Sequence, residues 1–458
     1  MGNQGELELL NLSPEDMNKS LNEITDSIKS ENILSAYPLT RLTGEADYNL
    51  EYNLNSKATS LLLEVTERCN LRCKYCVYNP EHPEFRNFGH RNMSFKVAKK
   101  AVDMLFSHSK GTDEELIVGF YGGEPLINID LIKQVVSYSK GLAKSAGRKL
   151  IFSMTTNGTL IDGDIAKFLL DNEFSIIFSV DGPEELHNGN RVFINGKGSF
   201  KKALSGIKLY QEMKKKLGKT DIPLVFNMVV DGEDIFEKYS KIQAFIDSTS
   251  WFPDNLQTLI SAVEVGPKEC EYILPQSIQE QEFISKRIDP ALYWTKDKDP
   301  DREKELITKP SIIKGLSRIH NRLYSHEPVK LYGMNGCCVP GQRRMYVCVD
   351  GKIYPCEKTG KIPSLGNIVE GFNIEKIRKY YVTDFVNEAK EYCKNCWASN
   401  LCGLCYTNCF DRDSIHYSYR HDSCIEERFY LSNLLSEYCT CLEKYPQVIE
   451  ELNEEDLR

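Results

Sequence analysis

No apolar run in this chain approaches the about 20 residues that span a bilayer, so no membrane partner is expected. A basic stripe is also missing. Lys and Arg number 57 against 66 Asp and Glu, a formal net charge of −9, which offers nothing to neutralise phosphates and argues against nucleic acid. The opening "MGNQGELELLNLSPEDMNKS" is acidic and has no basic-then-apolar targeting pattern, so a cytoplasmic protein is expected. At 458 residues the chain has room for two or three domains.

What stands out is the presence of sixteen cysteines, unevenly placed. Three lie at 69–76, one at Cys270, and twelve between Cys337 and Cys441. In a reducing cytosol, thiols clustered in this way read as metal ligands or redox groups and not as disulfides.

Residues 1–57 form an N-terminal extension. A Ser-Pro-Glu helix start is followed by "EADYNLEYNL", which alternates like a short strand. The segment is either a decoration or a docking element for a partner peptide. Residues 58–265 repeat one pattern. The apolar runs "SLLLEVT", "LIVGFY", "LIFSMTT", "SIIFSV", "PLVFNMVV" and "LQTLISAVEV" alternate with amphipathic helical segments. Six such units predict an α/β fold with a parallel sheet, either an open partial (β/α)6 barrel or a doubly wound sheet. The polar motifs "ERCN", "GGEP", "TNGT" and "DGPEE" all follow strands, where such sheets bind ligands. Residues 266–330 are polar and mostly helical, a bridging segment. Residues 331–430 are the cysteine-rich part, with a hairpin signal at Asp350-Gly351, and 431–458 are a helix with an acidic tail.

The stretch "TERCNLRCKYCVY" places Cys69, Cys73 and Cys76 within eight residues. A zinc site completed elsewhere, a Cys-x2-Cys redox pair and buried thiols are all compatible with the spacing. So is a [4Fe–4S] cluster, which takes one ligand per iron; three cysteines then leave one iron for a chelating small molecule.

"CNLRCKYC" resembles the signature loop of the radical S-adenosylmethionine (SAM) enzymes. "YGGEPL", "TTNGTL" and "SVDGPEELHNGNRV" resemble later motifs of that superfamily, in order, over roughly residues 58–265. The resemblance implies that Cys69, Cys73 and Cys76 hold three irons and that SAM chelates the fourth. It implies further SAM contacts from Tyr75, Gly122, Gly123, Glu124, Asn157, Ser179, Asp181 and Arg191. Tyr75 would lie near the adenine, Ser179 and Asp181 at the ribose, and Arg191 at the SAM carboxylate. Glu124 would orient the amine, and Gly122 and Gly123 would allow its close approach.

The second cysteine block resembles the SPASM extension of radical SAM peptide-modifying enzymes, which carries two auxiliary [4Fe–4S] clusters. The resemblance assigns Cys393, Cys396, Cys402 and Cys424 to the outer cluster. Cys338, Cys356 and Cys405 go to the inner one, completed by Cys409 or Cys337 or left with an open iron. The family pattern often has Cys-x3-Cys after the x5 gap; "LCGLCYTNC" departs from it, which blurs Cys405 against Cys409. Cys270, Cys348, Cys439 and Cys441 have no place in the pattern.

The resemblance therefore implies SAM, three [4Fe–4S] clusters, a Cys-containing precursor peptide made on the ribosome, and a one-electron reductant such as flavodoxin or ferredoxin. Thioether-forming maturases (sactipeptide and ranthipeptide synthases) are the leading expectation. A C–C crosslinking maturase and a sulfatase-type formylglycine generator are alternatives. A non-catalytic Fe–S electron-transfer protein is a fourth reading, against which the Gly-Gly-Glu-Pro motif argues.

Overall fold

A computed structural model describes residues 13–31, 41–43, 45–80, 87–230, 235–262, 309–322, 331–333, 338–360, 362–394, 396–411, 414–416, 421–444 and 452. Six parallel strands form its frame: β2 (Ser60–Thr66), β3 (Leu116–Gly122), β4 (Leu150–Thr156), β5 (Ser175–Ser179), β6 (Leu224–Val230) and β7 (Leu256–Ala262), numbered after a short β1 (Arg41–Thr43). They coincide with the six apolar runs of the sequence, and the fold is the expected α/β one with a parallel sheet.

Helices stand between the strands, among them α3 (Phe95–Ser107), α4 (Ile129–Ala146), α5 (Gly163–Asp171), α6 (Glu184–Asn190), α7 (Phe200–Lys216) and α8 (Ile235–Ser248), which follow α1 (Pro14–Glu31) and α2 (Glu45–Ser56). Their ends follow local chemistry. Ser94 and Asp162 accept the first-turn amides of Val97 and Ile165 at 3.3 and 2.8 Å, and α4 stops at Gly147 in the left-handed region, φ 63°.

The strands are covered on one face only. Leu61, Leu63, Val65, Val118, Phe120, Phe152, Met154, Phe178 and Phe226 belong to the buried core with the helices. Their alternates, such as Tyr121, Ser153, Thr155, Ile177 and Asn227, are half-buried on the other face. Burial thus follows period 2 along most of the sheet, with the inner face less covered than the helix-packed one.

The sheet extends further than expected. β9 (Arg344–Val347) adds to the outer edge of β2 in parallel, Leu62 opposite Tyr346, and β10 (Lys352–Tyr354), β11 (Gly366–Asn367) and β12 (Gly371–Phe372) continue it antiparallel. The result is a ten-stranded sheet among the described residues, ordered β12-β11-β10-β9-β2-β3-β4-β5-β6-β7. The hairpin anticipated at Asp350-Gly351 is β9–β10, with Gly351 at φ 86° in its turn. The first part of the cysteine-rich region is thus continuous with the barrel sheet.

One expectation is corrected. "EADYNLEYNL" is not a strand but part of α2. Leu50 and Leu54, four apart, are buried at 1% and 0%, while Tyr52 between them is 55% exposed. Alternating Tyr and Leu satisfies both periods, and burial of i and i+4 on one face selects the helix. The short β1 before it pairs in parallel with β8 (Leu331–Gly333).

Between β7 and β8 lies α9 (Lys309–His320), and after β12 come the short α10 (Ile374–Ile377), a π-helical turn over Arg378–Asp384, α11 (Phe385–Cys393), the small hairpin β13–β14 (Phe410–Asp411, Ser414–Ile415) and α12 (His421–Lys444). α9 and α12 pack together through Leu316, Ile319, Leu431 and Leu434, a second small core. Most of the 266–330 bridging segment, the acidic tail beyond 444 apart from Leu452, Cys270 and Cys337 lie outside the described residues.

Candidate active site

β2 ends in an irregularity. Glu64 is opposite Tyr121, but the next partner of Gly122 is Thr66, so β2 holds an extra residue before the cysteine loop. The loop is then laced to its neighbours. Gly123 N–H donates to Thr66 O and Glu124 N–H to Arg68 O, both at 2.9 Å. Arg72 N–H donates to Val192 O at 2.7 Å, Lys74 N–H to Asn190 O at 3.1 Å, and Glu67 N–H to Arg91 O at 3.0 Å.

Gly122 and Gly123 are required by this lacing. A Cβ on Gly122 would sit 2.2 Å from Thr66 O at a φ of 134°, and one on Gly123 would sit 2.2 Å from Arg68 O. Their missing side chains admit the cysteine loop's own backbone, a use the sequence reading had reserved for a ligand.

Cys69, Cys73 and Cys76 lie on this loop, and their thiols are electrostatic neighbours. Burial, first of the causes, pushes Cys69 well above the ordinary thiol range and Cys73 up to about 12, with Arg191 opposing the rise at Cys73. Cys76 is raised by burial, against the Tyr78 amide. Three thiols on one loop, Cys73 buried and Cys69 and Cys76 half-buried, need a cationic centre to exist together as thiolates, and iron supplies one. Among the described residues, no three Cys, His, Asp or Glu side chains converge as ligands of a single ion do. A [4Fe–4S] cluster takes each thiolate on a different iron, so the donor set and its spread along the loop fit such a cluster.

Two polar networks flank the loop. In the first, Glu124 is buried and its Oε1 accepts Leu126 N–H at 3.1 Å and Thr156 Oγ1–H at 2.7 Å, while Oε2 accepts Asn157 N–H at 2.8 Å. Burial outweighs these donors and raises its carboxyl to about 7. Asn157 Nδ2–H donates to Asn70 Oδ1 at 3.0 Å, and Asn70 donates to Thr159 Oγ1 at 2.8 Å. Asn70, inside the Cys-x3-Cys, was not singled out in the sequence, although its place between two ligands was a signal.

In the second network Arg191 and Asp181, both buried, form a two-pronged pair at 2.9 and 2.9 Å. Tyr75 O–H donates to Asp181 at 2.6 Å, and its ring lies 5.3 Å from the guanidinium carbon. Val229 N–H also donates to Asp181, at 3.0 Å. Asp181 and Arg191, expected at opposite ends of SAM, therefore bond each other. Ser179 ends β5, buried beside them.

His187 was missed by the sequence reading. Ser199 Oγ–H donates to Arg191 O at 2.8 Å, so the 3.0 Å contact between His187 and Ser199 is Nε2–H donating, and Nδ1 faces Asp181 N–H at 3.5 Å. Burial first, then the Arg191 charge, lowers His187 to about 4, so the ring is neutral.

In the second block, Cys338, Cys356 and Cys405 are electrostatic neighbours. Cys356 is pushed up to about 12 by burial, then by Glu357, with Cys405 and Cys338 adding. The Cys338 sulfur turns to the Tyr406 hydroxyl at 3.3 Å. Cys409 is fully buried in the main core, at the end of a short 3-10 turn. Cys393 ends α11, and Cys396 N–H donates to its carbonyl at 3.0 Å. Cys424 lies in the first turn of α12; one turn on, Glu427 accepts Gly403 N–H at 2.6 Å, which draws the Cys402 loop to that helix, and pairs with Arg318 of α9 at 2.8 Å. Of the unassigned thiols, Cys348 and Cys441 are buried and Cys439 is exposed.

Residues 63–238 match the family model of the radical SAM superfamily. The chain carries a radical SAM domain. It is similar to the cysteine-type anaerobic sulfatase-maturating enzyme of Clostridium novyi (strain NT), with 26% identity over 368 residues, 77% of this chain and 88% of that enzyme. The enzyme of the same description from Clostridium perfringens (strain 13 / Type A) is 26% identical over 391 residues, 81% of this chain and 93% of the relative. The solved structure of native anSMEcpe with bound AdoMet superposes at a TM-score of 0.59 and 24% identity over 87% of this chain and all of that one, a likeness of fold. With this domain and these relatives, the chain is a radical SAM enzyme, and its radical SAM loop implies a [4Fe–4S] cluster. Among the described residues no helix is long and apolar enough to cross a membrane.

Proposed function

We propose that the chain is a maturase that oxidises a cysteine of a peptide, in the manner of the cysteine-type anaerobic sulfatase-maturating enzymes. One observation carries this reading. The similarity to those enzymes extends well beyond residues 63–238, over 77% of the chain, and so takes in part of the C-terminal cysteine region. Cys69, Cys73 and Cys76 are the residues to hold the first cluster, and when bound the cluster and SAM supply a hydrogen-abstracting radical. The Arg191–Asp181 pair, with Tyr75 and Ser179, lines one polar corner beside the cysteine loop where SAM would sit. The open inner face of β3–β6 provides the space for a peptide, and helices exclude water from behind it.

A second reading, thioether formation, is favoured by the grouping of Cys338, Cys356 and Cys405. These three would hold an inner auxiliary cluster, distinct from an outer one on Cys393, Cys396, Cys402 and Cys424, and three protein thiols would leave it one iron for a substrate thiolate. That gives three clusters, fed by a flavodoxin- or ferredoxin-type reductant in a reducing cytoplasm.

Mass spectrometry of a cysteine peptide incubated with reduced enzyme and SAM separates the two. Conversion to formylglycine replaces the cysteine sulfur with a carbonyl oxygen that an aldehyde reagent captures. A thioether keeps the sulfur, loses two hydrogens per bond and consumes a thiol. A product lacking two hydrogens whose thiols all alkylate is a C–C crosslink and overturns both.

A further inference from the structure

Register places one carboxylate on the open face of the sheet. Along β2–β7, the residues on that face are Leu62, Ile117, Ser153, Ile177, Asn227 and their like; Glu64 is the only acidic or basic side chain among them. Leu62 and Tyr121 beside it are half-buried, yet Glu64 is 3% exposed, covered together with Thr66 and Tyr346. A carboxylate so withdrawn needs donors. Tyr78 O–H and Tyr346 O–H each lie 3.1 Å from its Oε1, and Val349 N–H donates to Oε2 at 3.2 Å. The two phenol oxygens are also 3.1 Å apart, and the Tyr121 ring lies edge-on to Tyr346 at 6.4 Å.

These donors come from different places. Tyr78 stands two residues after Cys76, and its amide faces that thiol. Tyr346 stands on β9, a strand the sequence did not place in this sheet, and Val349 in the turn after it, in the hairpin that leads to Cys356.

We infer that Glu64 is a positioning residue that locks the first cysteine loop to the β9–β10 hairpin, so that one buried side chain sets the register between the SAM-binding loop and the auxiliary region. It touches neither cysteine; it acts through Tyr78 and Val349. The inference does not depend on which peptide is modified.

The test is Glu64→Gln in the iron-loaded full chain, which keeps the size but turns an amide donor toward donors. Hydrogen exchange should rise about tenfold together in the peptides containing 76–80 and 345–349, with β4–β6 unchanged. Tyr346→Phe added to Glu64→Gln should add little, because both break one network. Iron content should hold, while the EPR signal that reduced protein gives on addition of SAM broadens. Exchange rising on one side only, additive effects, or an unchanged EPR signal with both peptides loosened would each overturn the inference. Should Glu64→Gln not fold, Tyr78→Phe, Tyr346→Phe and their double variant replace it; additive exchange effects there overturn the inference equally.

Discussion

The loop carrying Cys69, Cys73 and Cys76 hangs between strands of seven residues and is bonded through its backbone to three neighbouring segments. The described cysteines after residue 337 stand in loops and turns beside strands of two to four residues, and near helix ends. Five lacing bonds at about 1 kcal/mol each hold the first loop in shape without iron. The second region has few comparable backbone ladders, so its geometry depends on what its thiols hold, as in small metal-folded domains. The first site is therefore set by the sheet, and the second by its ligand.

The largest expected effect separates the regions by chemistry. Replacing Cys69, Cys73 and Cys76 together by Ala should abolish 5′-deoxyadenosine formation. Bound iron should fall by about four of about twelve atoms, if two auxiliary clusters remain. A triple variant that still cleaves SAM removes the first loop from the reaction.

Anaerobic removal of iron should sharpen the same contrast. Hydrogen exchange should remain slow across β2–β6 and the adjoining β9 and accelerate strongly over 355–360 and 393–424. Equal loosening of both regions would break the comparison, since it would make the first loop depend on iron as much as the second does.

How far the sequence could be read divides along the same line. Six strands were legible because each is a run of apolar residues and amphipathic segments alternate with them, and "CNLRCKYC" was legible because ligand spacing is local. The helix at 45–56 was misread because Tyr48, Leu50, Tyr52 and Leu54 fit two periods, and only the burial of Leu50 and Leu54 against the fold decides between them. The Arg191–Asp181 pair joins residues ten apart, and Glu64–Tyr346 spans 282. No local pattern encodes such partners. The addition of β9 to β2 was hidden for the same reason, since a strand's neighbour across a sheet leaves no trace in its own spacing.

Gly122→Ala probes the lacing directly. The new Cβ meets Thr66 O at a φ that L residues rarely adopt, so a loss of about 2–4 kcal/mol is expected from chemical denaturation of the apo-protein. Gly147→Ala, at φ 63° with nothing within 4 Å, should cost only about 1 kcal/mol. Equal losses would mean that close approach to the cysteine loop contributes nothing.

The smallest effect lies in the pH dependence of the first region, where two buried groups oppose each other. Glu124 is raised to about 7 in the folded protein from an unfolded value of 4.5, so over that interval the folded state holds more protons and stability falls as pH rises. His187 is lowered to about 4 from 6.5, so between those values the unfolded state holds more protons and stability rises with pH. From pH 4.5 to 6.5 the two slopes have opposite sign, and the apo-protein's unfolding free energy should be nearly flat in this respect. Glu124→Gln leaves the histidine unopposed, and stability should climb with pH by no more than about 3 kcal/mol across the window. His187→Gln leaves the carboxyl unopposed, and stability should decline with pH over the same range. Denaturant titrations of the three proteins at pH 4.5, 5.5 and 6.5 check the signs, and variants whose slopes match that of the parent would show that burial at these two positions does not govern their protonation.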